Sequence, residues 1–292
     1  DAPSLVTDIK YNSGTNGGTI SFKVDKENIR QGNALIAIKD SQNTILWSWH
    51  IWITDENIYH TIKVTNHQNV SHDLMPIHLG WCEGEVINYA ARSCQVQFIA
   101  HGQTRLITVN QMRSTTSTQG NCTFYEWGRK DPLRPSSGYA YKNKTWYNAA
   151  GIASTANHAV ESFPFGNECI KNYIRKPDVM QKEIGGDNTY FNLWNADNNT
   201  NSNVYNDNPV TKTVYDPCPV GFAMPPSNTF TGFTTTGENV TNTVAKYNGE
   251  WNSSLPGWNF YCGPNKTGGT IFFPMTGERI SSGGHLSAVG SL

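Results

Sequence analysis

The sequence predicts a predominantly β protein of the α+β class, built from short strands and long loops. Charged residues make up only 15% of the chain, against about 25% in an ordinary soluble domain, yet the mean hydropathy is negative at −0.51. The polarity therefore comes from Asn, Thr, Ser and Gly, which are the residues of turns and loops. Apolar residues recur at every second position in several segments, whereas helical periodicity is sparse.

The first strands are predicted near the N-terminus. In TISFKVD (19–25) apolar and polar residues alternate strictly, which is the pattern of a half-buried strand. The run ALIAI (34–38) is continuously apolar and predicts a strand that is buried on both faces. Turn-forming residues occupy 40–43 and a second strand follows at once, so the two strands are expected to form a hairpin.

The second strand of this hairpin contains LWSWHIWITD (46–55), with three tryptophans. Trp47 and Trp49 share their parity with isoleucines, and side chains alternate across a strand, so we expect both indoles to pack in a core. His50 and Trp52 lie on the other, mixed face. That face has two interpretations, a domain interface or a ligand groove.

Later in the chain the sequence predicts more strands, two short helices and a long insertion. Strands are expected at 60–66, 94–100, 104–109 and 271–274. The helical candidates are 122–128 and 177–184. From about 133 to 210 the chain is dense in Asn, Ser, Gly and aromatic residues. This segment is too long for a simple connecting loop, so it is predicted to be a loop-rich insertion that is functional or mobile.

Charge and hydropathy exclude two classes of partner. The net charge is −1, and the longest cationic cluster is only Arg129-Lys130. No run of Lys and Arg is long enough to follow a phosphate backbone, so nucleic acid is not expected as a partner. No apolar run is long enough to span a bilayer, so we expect no transmembrane segment.

The six cysteines favour an oxidising compartment. They are Cys82, Cys94, Cys122, Cys169, Cys218 and Cys262. None lies in a CxxC pair, which argues against a zinc ribbon, and an even count in an Asn/Thr-rich chain is typical of disulfides. Six buried thiols are the alternative. Spacing does not select a connectivity, and we take Cys82 with Cys94 and Cys218 with Cys262 as working pairs.

Enzyme signatures are missing from the sequence. There is no GxSxG, HExxH, Walker A or GxGxxG motif, so we expect no enzyme and no catalytic residues. Oxygen side chains at Asp197, Asn199 and Asn201 have the spacing that starts a calcium loop. The segment lacks the glycine and the bidentate glutamate of such a loop, which favours a solvated loop; calcium is the sole cofactor candidate.

Aromatic residues beside Asn provide a carbohydrate hypothesis. Indole and phenol rings stack on the apolar faces of pyranoses, and amides bond the hydroxyls. The candidate ligand-binding residues are Trp146, Tyr147, Trp194, Asn195, Trp258 and Asn259. The alternative is that such clusters fill small cores within loops.

Four blocks, taken in order, resemble a known family. They are 33–55 with WSWHIW, 122–132 with YEWGRKDP, 214–237 with DPCPVGF and 258–284 with FPMTG. In this order they resemble Bacteroidetes surface proteins of fimbrillin-like or pilus tip-type. These carry the paralogous domain first noted in Fibrobacter, which is similar to the C-type-lectin-like fold.

The resemblance implies an extracellular location on the bacterial cell surface and a division of the chain. Residues 1–45 would be the end of a β-sandwich domain, and 46–292 a C-type-lectin-like domain with the insertion at about 133–210. Three departures are Ala223 in place of arginine, Glu278 in place of an aromatic residue, and no closing Tyr-Trp-Ser-Ser-type strand after Leu292. Two explanations are open: the sequence is truncated before that strand, or a strand from a partner completes the C-terminal edge.

Three functions follow as hypotheses. The first is a non-enzymatic cell-surface or fimbrial subunit that acts in assembly and adhesion, with other surface or pilus subunits as partners. The alternative is a carbohydrate-binding, lectin-like module for host or microbial glycans. The third is an enzyme on a scaffold like that of formylglycine-generating enzymes, which would require a metal-binding cysteine pair. A fold alone does not decide among them.

Overall fold

The structure is a computed structural model that describes residues 4–15, 17–137, 140–164, 166–182, 192–197, 205–239 and 243–287. These residues contain twenty-one strands, one α-helix and three short 3-10 helices. The prediction of a predominantly β chain is therefore confirmed. Apart from one three-stranded sheet, the strands in the described ranges form two-stranded pairs.

The N-terminal part consists of two antiparallel hairpins. Their strands are β1 (Thr7–Asn12), β2 (Thr19–Lys23), β3 (Gly32–Lys39) and β4 (Ile45–Ile53). The hairpin predicted from 34–38 and its neighbour is confirmed, whereas β2 is mostly exposed rather than half-buried. The boundary predicted at 45/46 would separate β3 from β4, which are hydrogen-bonded to each other; it stays a prediction.

The burial of the two faces of β4 differs from the prediction, since Trp49 is exposed on the expected core face and Ser48 is buried on the other. Trp49 is 39% exposed, and Trp47 is half-buried beneath the Lys130 ammonium, 4.5 Å from the ring centroid. The mixed face packs on the body of the protein instead. Ser48 is only 2% exposed and donates to Asp131 Oδ1 at 2.8 Å, and the Trp52 indole donates to a main-chain carbonyl.

The middle of the chain forms further hairpins. Their strands are β5 (Ile62–Thr65), β6 (Ser71–Leu74), β7 (Val86–Tyr89), β8 (Arg92–Ala100), β9 (Gln103–Gln111) and β10 (Ser114–Ser117). β5 pairs with β6, β8 with β9, and β7 with β10. The strands predicted at 94–100 and 104–109 are therefore confirmed, and they make up most of β8 and β9.

The predicted insertion at 133–210 contains regular structure in its described part. Its elements are β11 (Ser136–Ser137), β12 (Ala140–Asn143), β13 (Trp146–Tyr147), β14 (Ala153–Ser154), β15 (Ala159–Glu161), α1 (Asn167–Arg175) and β16 (Val179–Gln181). β15 and β16 pair in parallel, because α1 crosses between them. Both predicted helices are wrong, since 122–128 is irregular and 177–184 contains β16.

The C-terminal part supplies the largest core. Its strands are β17 (Gly249–Asn252), β18 (Gly257–Gly263), β19 (Thr267–Pro274), β20 (Glu278–Arg279) and β21 (Leu286–Ser287). β17, β18 and β19 form an antiparallel sheet with β18 in the middle. Phe233, from a 3-10 helix at Ser227–Phe233, stacks on Phe260 with centroids 4.9 Å apart, and Val64 of β5 closes the cluster.

The predicted disulfides are not formed, because the structure holds all six cysteines as thiols. Cys82 is buried beside the bridge to Asn121, whereas Cys94 lies on the exposed β8. Cys262 is part of the aromatic core and Cys218 lies in a loop, 3.7 Å from a methionine sulfur. Each working pair joins two different environments, which an even count of cysteines cannot reveal.

Candidate functional site

Strands β7 to β10 form a projecting β-ribbon, residues 86–117, which we call the arm. Tyr89 pairs with Ser114 and Arg92 with Gln111, so the two strand pairs follow one another along the ribbon. The turn at His101-Gly102 has positive φ at both residues, 49° and 70°, as two-residue hairpin turns require. Every residue of the four strands is exposed.

One face of the arm is apolar although it lies in solvent. Directly opposed residues of a ladder share a face, and Val96 pairs with Ile107 while Cys94 pairs with Val109. Phe98 completes this apolar face and is 54% exposed. The opposite face is mostly polar. A two-stranded ribbon is only marginally stable alone in water, and exposed apolar patches mark interaction surfaces.

The arm is also cationic. It contains Arg92, Arg105 and Arg113 and no Asp or Glu, although the whole chain has a net charge of −1. Arg105 lies opposite Phe98 on the ladder, and Arg92 shares the same face six positions before Phe98. Arg92 and Arg105 therefore flank the apolar face at its ends, at backbone positions about 20 Å apart along the ribbon at 3.3 Å per residue.

A second feature is a groove of about 400 Å³ between the loop 124–133 and strands β16 and β20. The loop is closed at its base by two main-chain hydrogen bonds between Phe124 and Leu133, at 2.7 and 3.1 Å. Gly128 has φ 80°, a conformation that suits glycine, and the turn it makes projects Trp127 outward. We call this site the Trp127 groove.

A buried arginine fixes this loop to the segment after α1. Arg129 is 2% exposed, and its guanidinium donates to the Glu126 carboxylate and to the carbonyls of Val179 (2.6 Å) and Lys176 (3.0 Å). It also lies 4.7 Å from the centroid of the Tyr173 ring. Burial raises the pKa of Glu126, and the charge of Arg129 opposes that shift. The carboxylate and guanidinium are held as a buried pair.

Trp127 presents a wide aromatic surface at the groove. Its side chain is 63% exposed, and its ring stacks on Trp194 with centroids 6.0 Å apart and an interplanar angle of 20°. The Trp194 indole donates to the Arg129 carbonyl at 2.9 Å, which fixes the lower ring. Trp194 was among the predicted ligand residues, whereas Trp127 was not, because 122–128 was predicted to be a helix.

The other predicted ligand residues lie on different elements. Trp146 and Tyr147 form β13, and Trp258 and Asn259 lie in β18, where the Trp258 ring packs edge-on against Tyr247. Asn195 follows Trp194, and its Oδ1 accepts hydrogen bonds from the main-chain N–H groups of Asp197 and Thr211. Trp194 is the predicted residue that the structure brings to the Trp127 groove.

The calcium candidate is only partly covered by the structure. Asp197 is exposed, and its main-chain N–H bonds to the Asn195 side chain at 3.3 Å. Asn199 and Asn201 lie outside the described residues. Within the described ranges no group of three or more His, Cys, Asp or Glu side chains could hold a metal. The expectation of no cofactor stays a prediction.

Burial keeps several titratable groups neutral. It lowers the pKa of His50 and of His78 to about 4, and that of His158 to about 3. It raises the pKa of the Cys122 thiol to about 11 and, with a contribution from Asp216, that of Cys218 to about 12. At neutral pH these five groups are uncharged, which is the opposite of an activated nucleophile.

No protein-family model, curated protein or solved structure matches the chain. Its function is therefore inferred from its own residues, and the resemblance to Bacteroidetes surface proteins stays a prediction. No helix in the described part of the chain is both long and apolar enough to cross a membrane.

Proposed function

We propose that this chain is a non-enzymatic subunit of a bacterial cell-surface fibre, extracellular and acting in assembly and adhesion. The arm carries this proposal, because an exposed amphipathic ribbon needs a partner to bury its apolar face. The four sequence blocks that resemble fimbrillin-like and pilus tip-type proteins support the same class. The neutral, buried thiols and histidines support a role without catalysis.

The domains of this proposal follow the resemblance. Residues 1–45 are the end of a β-sandwich domain, and 46–292 are a C-type-lectin-like domain with its insertion at about 133–210. The short strands, the single described α-helix and the long connections support such a domain.

The arm suits a neighbouring subunit better than a second arm. Each strand of the arm is paired on one side only within the described residues, so its outer edges present main-chain groups for strand addition. Two arms packed together would bring arginines of like charge together, which disfavours that contact. The matching surface is an apolar recess with carboxylates at both ends, where Arg92 and Arg105 can pair.

Strand β19 is a second place for a partner. In the described part of the chain it is one of the two edge strands of the three-stranded sheet, β17 being the other, and its first half is exposed. Strand complementation at this C-terminal sheet, expected from the sequence, remains part of the proposal.

Polar substitutions on the apolar face are expected to remove the subunit from the fibre. The double variant Phe98→Thr with Ile107→Thr keeps strand propensity and removes apolar area worth roughly 1.5–3 kcal/mol per residue when buried. We expect at least a tenfold loss of the tagged chain from fibres sheared off the cell surface, measured by immunoblot.

The matched control is Gln95→Thr with Gln97→Thr on the opposite face, which should leave recovery unchanged. Both double variants should unfold at the same temperature as the parent chain, because all four side chains are exposed. Equal recovery of the two variants would contradict the role of the apolar face. A parent chain that stays out of the sheared fraction would overturn the proposed location.

A further inference from the structure

The Trp127 groove has the form of a prepared ligand site. An exposed indole that is already rigid loses little conformational entropy when a ligand covers it. Trp194 supports the Trp127 ring from below, and the buried Arg129 anchors both, through its own carbonyl to Trp194 and through its guanidinium to the segment after α1. The volume of about 400 Å³ lies within the roughly 300–1,000 Å³ of small-molecule sites.

The chemistry of the groove selects against anions. Arg279 is the one arginine among the lining residues, and its guanidinium is used internally. Its Nε donates to the Arg134 carbonyl at 2.8 Å, Nη1 to the Gly284 carbonyl at 2.8 Å and Nη2 to Asn143 Oδ1 at 2.6 Å. The other charged residues of the lining are Glu126, which is paired with Arg129, and the exposed Lys182 and Glu278. A phosphate or carboxylate ligand would meet the Lys182 ammonium together with two carboxylates, Glu126 and Glu278, which disfavours an anion.

The same lining suits a neutral polyhydroxylated ligand. Among the lining residues Leu133 and Met180 are buried and Phe124 is half-buried, whereas Lys182 and Glu278 are exposed and Ser281 is half-buried. A hydroxyl both donates and accepts, so it can bond to an ammonium, a carboxylate and another hydroxyl in turn. The apolar face of a pyranose is the part of such a ligand that stacks on an indole.

We infer that the Trp127 groove binds a neutral saccharide, with one pyranose ring stacked on Trp127 and its hydroxyls bonded at the opening of the groove. This site goes beyond the assembly role of the arm and gives the proposed adhesion a ligand class. It uses residues that are separate from the arm, so the two proposals can fail independently.

A glycan array probed with the full chain, followed by calorimetric titration of the best neutral oligosaccharide, tests the inference. Trp127→Ala is expected to weaken binding at least tenfold, and Trp127→Phe should retain part of the affinity because a ring remains. The matched control is Trp251→Ala, which removes another exposed tryptophan (46% exposed) from β17. That variant should bind within twofold of the parent chain.

The outcomes separate the site from the arm. Phe98→Thr with Ile107→Thr should keep full saccharide affinity even if it abolishes incorporation into fibres. An array without any hit for the folded chain would overturn the saccharide inference, as would equal losses in the Trp127 and Trp251 variants. Binding only to phosphorylated or carboxylated glycans would overturn the neutral-ligand assignment.

Discussion

Replacing Arg129 with methionine is expected to lower the free energy of unfolding by about 3–5 kcal/mol, because it breaks a buried ion pair on one side. Methionine is unbranched and of comparable volume, but it leaves the Glu126 carboxylate without its guanidinium partner. It also leaves the carbonyls of Lys176 and Val179 without the donor they have in the structure. Urea unfolding of the full chain, followed by circular dichroism, measures the change.

Two further variants isolate the cause of this loss. Arg175→Met removes an exposed arginine at the end of α1 and should change stability by less than about 0.5 kcal/mol. Adding Glu126→Gln to Arg129→Met removes the stranded charge and should restore about 1 kcal/mol or more. Glu126→Gln alone completes the cycle, and a double-variant loss equal to or larger than the sum of the two single losses would show that the pair is not coupled as the geometry indicates.

Acid is expected to unfold the protein cooperatively between pH 6.5 and pH 4. His50 accepts from the Tyr125 hydroxyl at Nδ1 (2.9 Å) while its Nε2 bonds to Asn33 (2.8 Å), and His158 Nε2 accepts the Arg134 main-chain N–H (2.9 Å). Protonation would add a hydrogen to His50 Nδ1 and to His158 Nε2, the two nitrogens that now accept these hydrogen bonds. Burial and these bonds therefore favour the neutral rings.

The sign of the effect follows from the direction of the pKa shifts. An unfolded histidine binds a proton near pH 6.5, whereas folded His50 binds it only near pH 4, so the unfolded chain holds more protons between these values. Stability is complete above pH 6.5 and falls with pH through this window, by roughly 3 kcal/mol for His50 alone. His78 and His158, with pKa values of about 4 and 3, add to the loss.

Stability measured by urea titration at half-unit pH steps checks this dependence. His50→Gln should reduce the slope by about 1.4 kcal/mol per pH unit, which corresponds to one proton. This readout is separate from any loss of stability at neutral pH. His60→Gln, at an exposed position, is the control and should leave the slope unchanged. If the curves of stability against pH are parallel for the His50 variant and the parent chain, His50 binds protons equally in the folded and the unfolded state, which contradicts the prediction.

Strand β4 shows what local sequence could and could not predict. Its alternation correctly indicated a strand with two different faces, and the hairpin with β3 was predicted from the turn residues. Which face is covered depends on residues far along the chain, since Ser48 bonds to Asp131 and His50 to Tyr125. Polar residues can be buried when such partners exist, and no local pattern contains that information.

The arm and the groove illustrate the same limit. Strands β8 and β9 were predicted from the alternation of their residues, but no sequence signal indicates that their apolar face is exposed. Trp127 was available in the block YEWGRKDP, and the glycine after it is a signal against the helix that was predicted there. The stacking with Trp194 joins positions 67 residues apart along the chain and required the structure.

The exposure of the arm also bears on the lifetime of the subunit. Ribbons of marginal stability open often, and extended exposed segments are where proteases cut first. Arg92, Arg105 and Arg113 are cleavage points for trypsin-like proteases, and all three lie in this segment. On the proposed assembly role, an unassembled chain is expected to be cut at the part it would use to bind, while an assembled chain keeps that part covered. The proposed assembly role therefore predicts that incorporation protects the arm from proteolysis.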